Sequence, residues 1–292
     1  MAVQFAVLAS GSQANATLIR AQGSGILVDL GLGPRALAER LASVDSGWNQ
    51  IAAVVLTHTH GDHVDNGTLH ALARRNVVLY CHEGHRRSLG RHSGFLAVET
   101  AGLIRYYDDR PFLTPNGLRI EPLGLRHDGP TFGFRVEVKS ARGKRAVGIG
   151  YMADTGSWSD AMADAMADVD VFGVEFNHDV EMQRSAPRSA ALIARNLGDR
   201  GHLSNCQGAE LVSAVLARSG RSALKHVVLL HLSRQCNTPD LALGTAKAAL
   251  RNSGRRATIH AALQAPAFPN LWVSAARRSS VEATKHSKMS LF

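Results

Sequence analysis

The chain has 292 residues, of which 45% are hydrophobic, 20% charged and 5% aromatic. This composition is typical of a folded globular protein and excludes the disordered, collagen-like and coiled-coil classes. The 33 basic and 24 acidic side chains give a formal net charge of +9 at pH 7. Such an excess favours polyanionic partners such as nucleic acid or phosphorylated metabolites. A basic surface that only aids solubility would look the same, so charge alone does not identify the partner.

The chain carries no sequence signal for a membrane or for secretion. No apolar run reaches the roughly 18 residues of a membrane span, and residues 1–5 lack the basic start and cleavage site of a secretory signal. The three cysteines, Cys81, Cys206 and Cys236, form no CxxC pair and suit a reducing compartment. We therefore expect a soluble cytoplasmic protein with no membrane partner. Its oligomeric state stays open, a homodimer being one of the alternatives.

Apolar, β-branched runs alternate with segments of helical periodicity along the chain. The predicted strands are residues 3–8, 17–20, 26–30, 51–57, 77–81, 118–123, 133–138, 146–150, 169–174, 226–230 and 258–262. The predicted helices are residues 34–43, 67–75, 84–91, 160–166, 187–197, 205–218 and 239–251. This pattern favours one α/β domain over residues 1–264, with two helix-covered sheets. Residues 265–292 are predicted to form a basic, partly mobile C-terminal extension.

The most informative segment is residues 54–63, VVLTHTHGDH, in which an apolar strand ends in an H-x-H-x-D-H motif. Alternate strand residues project to one face, so His58 and His60 can address one metal ion. Gly61 permits a turn that brings Asp62 and His63 back over the same place. Three imidazoles and a carboxylate within six residues suit zinc, with manganese or iron as alternatives.

This motif resembles that of the metallo-β-lactamase superfamily, where it supplies most of a two-metal site on a four-layer αββα sandwich. The resemblance implies three further ligands at strand ends, in a set order along the chain. The candidates are His127 in GLRHD (124–128), Asp154 in GYMADTG (150–156) and His231 in LLHLS (229–233). Aspartate rather than cysteine at position 154 is typical of the binuclear hydrolases of the superfamily and not of the true β-lactamases.

The resemblance also implies how two divalent ions per chain, Zn or Mn with Fe as a further alternative, would be shared among these residues. Asp154 would bridge the ions, and a water between them would attack the substrate while the ions neutralise the phosphoryl oxygens. The remaining ligands would divide into His58, His60 and His127 on one ion, and Asp62, His63 and His231 on the other.

Two further matches point to one branch of the superfamily. Residues 8–15, LASGSQAN, resemble the opening of the WalJ/YycJ-type hydrolases, although Ala14 stands where glycine is more common. Residues 175–179 and 201–205 resemble the same branch, so the likeness runs from residue 5 to about residue 262. Related tRNA 3′-processing ribonucleases and phosphoribosyl cyclic phosphate phosphodiesterases have a catalytic histidine at the position of His202. The resemblance implies that His202 would stabilise a phosphoryl oxygen or protonate the leaving oxygen, and that Asp62 would help to orient the nucleophile while binding metal.

Several residues outside the ligand set are candidates for substrate binding. Residues 82–92, HEGHRRSLGRH, predict a basic helix on which Arg87 and Arg91, with Arg86 beside them, share a face that could follow a phosphate backbone. A solvated charged face is the alternative. The other candidates are Ser12, Asn15, His178, Ser233 and Asn237, with support of a metal ligand an equal alternative for His178.

The sequence therefore predicts a binuclear metal-dependent phosphodiester hydrolase acting on nucleic acid, and the WalJ/YycJ resemblance implies a DNA exonuclease. A phosphodiesterase for small cyclic phosphates or nucleotides could use the same residues. A glyoxalase-type thioester hydrolase would not need His202. A non-catalytic nucleic-acid-binding protein on a metal-stabilised scaffold is the alternative outside the enzymes.

Overall fold

The computed structural model describes residues 2–139, 146–221 and 223–274. In chain order the strands are β1 Ala2–Ala9, β2 Ala16–Ala21, β3 Ser24–Val28, β4 Ile51–Val55, β5 Val78–His82, β6 Ile104–Tyr107, β7 Phe112–Leu113, β8 Arg119–Gly124, β9 Phe132–Val138, β10 Val147–Met152, β11 Val171–Glu175, β12 His226–Leu230, β13 Thr258–Ala261 and β14 Asn270–Ser274. The helices are α1 Pro34–Ala42, α2 Asn66–Arg75, α3 Arg86–Leu89, α4 Ser93–Thr100, α5 Asp160–Ala165, α6 Val180–Arg184, α7 Ala190–Leu197, α8 Asn205–Arg218 and α9 Pro239–Ser253.

Within the described residues the strands form two mixed sheets of seven strands each. The first has the order β14-β1-β2-β3-β4-β5-β6, and the second has the order β13-β12-β11-β10-β9-β8-β7. Strands β3 to β6 are parallel, as are β10 to β13. Because parallel strands end at the same edge of a sheet, the loops that follow them gather there, which is where ligands bind in such folds.

The predicted αββα sandwich is confirmed by the way the strand side chains divide between layers. In β1, Phe5 lies in the core between the two sheets, whereas Leu8 packs in the core beneath α1, α2 and α4. In β11, Val171 lies between the sheets and Phe172 packs in the core that includes α8 and α9. Successive residues of a strand face opposite sides, so strands covered on both sides are apolar throughout.

Helix α8 packs unusually close to the end of β11, and this contact positions the loop before the helix. Ser204 caps the helix, accepting a hydrogen bond from the Gln207 amide at 3.3 Å, while the Gln207 side chain accepts one from the Ser204 amide at 3.0 Å. One residue later, a Cβ added to Gly208 would lie 2.6 Å from the Glu175 carbonyl oxygen and 2.7 Å from the Phe176 ring. Only glycine fits this approach, so the helix start and the strand end are held together.

The basic segment differs from its sequence prediction. Residues 83–85 form a 3-10 turn, and α3 makes a single turn that ends at Gly90. The predicted helix over residues 84–91 is therefore wrong beyond Leu89, and Arg87 and Arg91 do not share a helical face. The turn is held instead by His85, which lies 3.0 Å from the Pro130 carbonyl oxygen through Nε2 and accepts the His82 amide at Nδ1.

The first sheet includes residues from the predicted C-terminal extension. Strand β14 pairs with β1 in antiparallel register, with Val3 opposite Val273, so the sheet extends ten residues past the predicted boundary at 264. Residues 275–292, which include most of the predicted extension, lie outside the described residues. The sequence patterns also missed β6, β7, α4 and α6, all of which are short. In the part of the chain that the structure describes, no helix has the length and apolarity needed to span a membrane.

We predict that Gly208→Ala destabilises the protein by about 1–3 kcal/mol, because the new methyl group would overlap the Glu175 carbonyl and the Phe176 ring. Gly244→Ala is the matched control, since a Cβ there meets nothing within 4 Å on the surface of α9. The control should be neutral or stabilising by up to about 1 kcal/mol, because alanine favours helix. Thermal unfolding of both variants tests this, and a neutral Gly208→Ala would contradict the packing argument.

Candidate metal centre

Side chains from both sheets meet where β4, β8, β10, β11 and β12 end. The H-x-H-x-D-H motif follows β4, and the second sheet contributes a residue at or after the end of each of the other four strands. The two sheets are joined at this edge by a hydrogen bond from the Phe132 amide to the Thr57 carbonyl at 3.1 Å. A second link runs from the His231 amide to the Ser10 hydroxyl at 2.8 Å. The cluster is therefore built into the junction of the sheets.

Three histidines form the first donor cluster, and their nitrogens lie close enough to share one ion. The ring centroids of His58 and His60 are 4.5 Å apart, and that of His127 is 5.4 and 5.0 Å from them. His127 donates through Nδ1 to the Gly201 carbonyl oxygen at 2.9 Å, which leaves the Nε2 lone pair free. Within the described residues the buried Nε2 atoms of His58 and His127 have no hydrogen-bond partner. Buried nitrogens usually have a hydrogen-bond partner. Two that lack one, close to a third histidine, are suited to bind a metal ion.

The second donor cluster joins Asp62, His63 and His231. The Asp62 carboxylate lies 3.4 Å from His63 Nε2 and 3.3 Å from His231 Nε2. Asn15 reinforces it, because its amide nitrogen donates to Asp62 at 3.0 Å and to the Gly11 carbonyl oxygen at 3.0 Å. Two imidazole nitrogens and one carboxylate oxygen in this arrangement again suit a transition metal.

Asp154 lies between the two donor clusters. Its Oδ2 is 3.0 Å from His63 Nε2, and its Oδ1 is 3.2 Å from His231 Nδ1. It also forms a compact donor group with His58 and His63. Asp154 has a φ of +60°, in the left-handed region that non-glycine residues rarely adopt. The strained turn after β10 thus carries the carboxylate into contact with both halves of the site.

Two carboxylates that support this site were not identified from the sequence. Asp29 directly after β3 is completely buried and lies 2.8 Å from His63 Nδ1, so that nitrogen donates and Nε2 is left for a metal. Glu175 at the end of β11 is also buried, 2.8 Å from His202 Nδ1 and 3.1 Å from His231 Nδ1. In the sequence, each of these carboxylates stands at the end of an apolar run. Strand periodicity alone does not distinguish such a buried carboxylate from an exposed turn residue.

Two of the three histidines of the first cluster, His58 and His60, favour the neutral form. Burial and the neighbouring His63 lower the pKa of His58 well below its ordinary value. Burial and His127 likewise lower the pKa of His60. A neutral imidazole has the lone pair that a metal ion requires. These residues are therefore ready to accept a cation at neutral pH.

The second cluster carries a surplus of negative charge. Burial opposes protonation of His63, yet Asp29 and Asp154 raise its pKa well above the ordinary value. Burial opposes protonation of His231 too, but the Asp154, Asp62 and Glu175 carboxylates together raise its pKa to about 10. Buried carboxylates thus attract positive charge to this place, and divalent cations can supply it in place of protons. The buried clusters are consistent with a binuclear metal site.

His202 lies beside the metal-donor clusters in the loop that precedes α8. Its ring centroid is 5.0 Å from that of His127 and 5.2 Å from that of His231. Burial raises the pKa of Glu175, but the charge and hydrogen bond of His202 hold it below its ordinary value. An ionised Glu175 fixes the proton of His202 on Nδ1. His202 Nε2 is then the nitrogen available for proton exchange.

The predicted substrate-binding residues divide into two groups. Ser12 and Ser233 line one polar cavity. Asn15, His178 and Asn237 are at most 5% exposed, so they lie beneath the surface, and their predicted contact with substrate stays a prediction. Asn237 donates to the Phe176 carbonyl oxygen at 2.8 Å, and the His178 carbonyl accepts the Asn205 amide at 2.8 Å.

The predicted arginine surface is exposed, with Arg86 and Arg87 on the single-turn helix α3 and Arg91 in the turn after it. Arg86 forms an ion pair with Glu99 at 3.2 Å, whereas Arg87 and Arg91 extend into solvent. The 3-10 turn before α3 packs against the loop that carries His127 through the contact of His85 with Pro130. These arginines are thus near the loop but are not brought into the donor clusters.

Comparison with known proteins agrees with this architecture. A model of the beta-lactamase superfamily domain matches residues 25–231. Exodeoxyribonuclease WalJ of Streptococcus pneumoniae (strain D39) is 30% identical over 240 residues, covering 82% of this chain and 85% of its own. Exodeoxyribonuclease YycJ of Bacillus anthracis is 28% identical over 255 residues, covering 87% and 91%. The crystal structure of the metallo-β-lactamase fold protein YhfI from Bacillus subtilis has a TM-score of 0.65 at 16% identity, over 92% of this chain and 99% of that one. The chain therefore belongs to the metallo-β-lactamase superfamily.

Proposed function

We propose that this protein is a binuclear metal-dependent phosphodiesterase that degrades DNA in an exonuclease-like manner. The observation that carries the proposal is the hydrogen bond between His202 and Glu175 beside two metal-donor clusters, because it adds a proton carrier to a cation site. Similarity to two proteins named exodeoxyribonucleases supports DNA as the substrate. The net charge of +9 agrees with a polyanionic substrate.

The ligands in this proposal divide as the family pattern implies, and Asp154 would contribute to both halves of the site. When bound, two divalent ions would lower the pKa of water and neutralise charge on the phosphoryl oxygens. Zinc and manganese both suit this donor set, and iron is a further alternative. The proposed ligands are His58, His60 and His127 on one side and Asp62, His63 and His231 on the other.

Asp62 and His202 would handle the protons of the reaction. Burial raises the pKa of Asp62, but hydrogen bonds to His231 and His63 hold it far below its ordinary value. The ionised carboxylate can accept a hydrogen bond from the attacking water and so orient it. His202, with Nδ1 bound to Glu175, can donate from Nε2 to a phosphoryl oxygen or to the leaving oxygen.

The proposed activity is tested with one panel of labelled substrates. Purified protein is assayed on single- and double-stranded DNA, on RNA and on small cyclic phosphodiesters, in Mn²⁺ and in Zn²⁺. Stepwise shortening of DNA from an end is the expected result. Turnover of the small cyclic phosphodiesters alone would replace this function with small-molecule hydrolysis, and binding without any turnover would make the protein a nucleic-acid-binding protein.

We predict two transition-metal ions per chain. Seven candidate ligands are more than one ion can bind. Asp154 lies within reach of His58 in the first cluster and of His63 and His231 in the second. Elemental analysis after reconstitution and desalting should approach two ions per chain, and Asp154→Asn should lower that number. A plateau at one ion in the unaltered protein would contradict a binuclear mechanism.

We predict that one histidine variant loses metal together with activity, whereas another loses activity and keeps its metal. His231→Ala should lose metal and activity together, because it removes a donor of the second cluster. His202→Ala should keep both ions and the fold but lose about 10²–10⁴-fold in kcat, the usual effect of removing a general acid. His70→Ala, a surface histidine of α2 bonded to Ser93, is the control and should change neither. Loss of metal in His202→Ala would make His202 a ligand instead.

A further inference from the structure

A polar cavity of about 290 Å³ is lined partly by loops that lead to the metal centre, and it is not used by the mechanism above. Its volume is close to the ~300 Å³ lower end of the usual range for ligand pockets. It is formed by three segments: the loop after β1, the connection between α6 and α7, and the loop after β12. The lining residues are Ser12, Gln13, Arg188, Ser233, Arg234 and Gln235.

The two arginines of this cavity have unneutralised charge. Arg188 donates to the Gln235 side-chain oxygen at 3.1 and 2.7 Å, and Arg234 donates to the Gln13 side-chain oxygen at 3.1 Å. Both acceptors are neutral amides. Among the described residues neither guanidinium group is paired with a carboxylate, and the cavity lining contains none. Each guanidinium has five N–H donors, so most of them are left for a ligand.

The hydrogen bonds to the two arginines also fix the orientation of their guanidinium groups. An amide oxygen fixes the orientation of a guanidinium without cancelling its charge. Arg184 shows the contrast in the neighbouring α6, because it is paired with Glu181 at 3.1 Å and its charge is offset. The cavity therefore favours an anion, because two positively charged groups are held there in fixed orientations. Phosphate suits it, since the planar guanidinium binds two phosphate oxygens at once.

Two of the loops that line the cavity also carry residues of the metal centre. The loop after β1 leads directly to Asn15, which contacts Asp62 at 3.0 Å. The loop after β12 begins at His231 and reaches Ser233 two residues later. The Ser233 amide is bound to the Asn177 carbonyl oxygen at 2.8 Å, so this wall is anchored to the end of β11. An anion in the cavity would thus be held by the same loops that hold residues of the metal centre.

We infer that this arginine cavity, Arg188 and Arg234 with the loops that hold them, binds a backbone phosphate of the DNA strand beside the scissile bond. The inference rests on the proposed DNA hydrolysis and names the contact that positions the strand. A phosphate contact fixes the position of the strand without reading its sequence. It explains how the enzyme can act on successive nucleotides, because every link of the strand offers the same phosphate.

The test compares two double variants that each remove two positive charges. R188Q/R234Q removes both guanidinium groups from the cavity. R184Q/R251Q is the control and removes two exposed arginines from α6 and α9. Steady-state hydrolysis of a labelled single-stranded oligonucleotide is measured across a salt series, together with turnover of bis(p-nitrophenyl) phosphate. Thermal unfolding of each variant checks the fold, and R188K/R234K tests whether charge alone restores binding.

R188Q/R234Q should raise KM for the oligonucleotide about 10-fold or more, as expected when charge-assisted hydrogen bonds are removed. The dependence of log affinity on log salt should become shallower by about 0.7 for each phosphate that is no longer bound. Turnover of the small diester should stay unchanged, and R184Q/R251Q should behave as the unaltered protein. R188K/R234K should recover the salt dependence but only part of the affinity.

The outcomes separate the cavity from the function on which it rests. Normal DNA hydrolysis by R188Q/R234Q, with KM equal to that of R184Q/R251Q, would overturn the cavity as a strand contact. Equal losses on the oligonucleotide and the small diester would also overturn it, because the arginines would then support the metal centre. If the unaltered protein neither binds nor cleaves any oligonucleotide, the proposed function itself fails, and the strand contact fails with it.

Discussion

Buried carboxylates beside histidines at the junction of the two sheets are the interaction on which the rest of the structure depends. Asp29, Asp154 and Glu175 are at most 1% exposed, and a buried charge without a partner would cost far more than any single packing contact contributes. Each of them lies 2.8–3.0 Å from a histidine nitrogen. The sheets must therefore meet in one register, because a small shift would leave a charge unpaired.

The backbone accepts strain to achieve this convergence. Asp29, Asp154 and His231 all have φ between +56° and +63°, a conformation that costs about 1 kcal/mol or more for a residue with a side chain. All three directly follow or nearly follow the end of a strand. The turn directs each side chain toward the junction of the sheets instead of along the strand. Rigid strands thus position the donors more accurately than a free loop could.

The two loops beside the metal centre combine structural and binding roles. The loop after β1 carries Asn15, which holds Asp62, and also Ser12, which lines the arginine cavity. The loop after β12 starts with His231 and reaches Arg234 three residues later. Any movement that disturbs a metal ligand would therefore change the cavity as well. Under the proposed function, strand binding and hydrolysis are coupled through short stretches of chain and need no large motion.

Local sequence patterns predicted two helix-covered sheets and the H-x-H-x-D-H donors, whereas the family resemblance supplied the four-layer order and the remaining candidate donors. Strand and helix periods are local, and so is the spacing that brings His58, His60 and His63 together, because each depends on residues only a few positions apart. These patterns were less reliable where breakers intervened: α3 stops at Gly90, and β14 continues the first sheet past the predicted boundary.

The residues that support the donors, and the cavity beside them, follow from three-dimensional packing instead. Asp29 meets His63 across 34 positions, and Glu175 meets His202 across 27. Arg188 and Arg234 come to one cavity from separate loops. No period or motif relates these pairs, because their contact depends on how the two sheets and α8 pack. The same packing removed Asn15, His178 and Asn237 from contact with solvent, which their places in the sequence could not reveal.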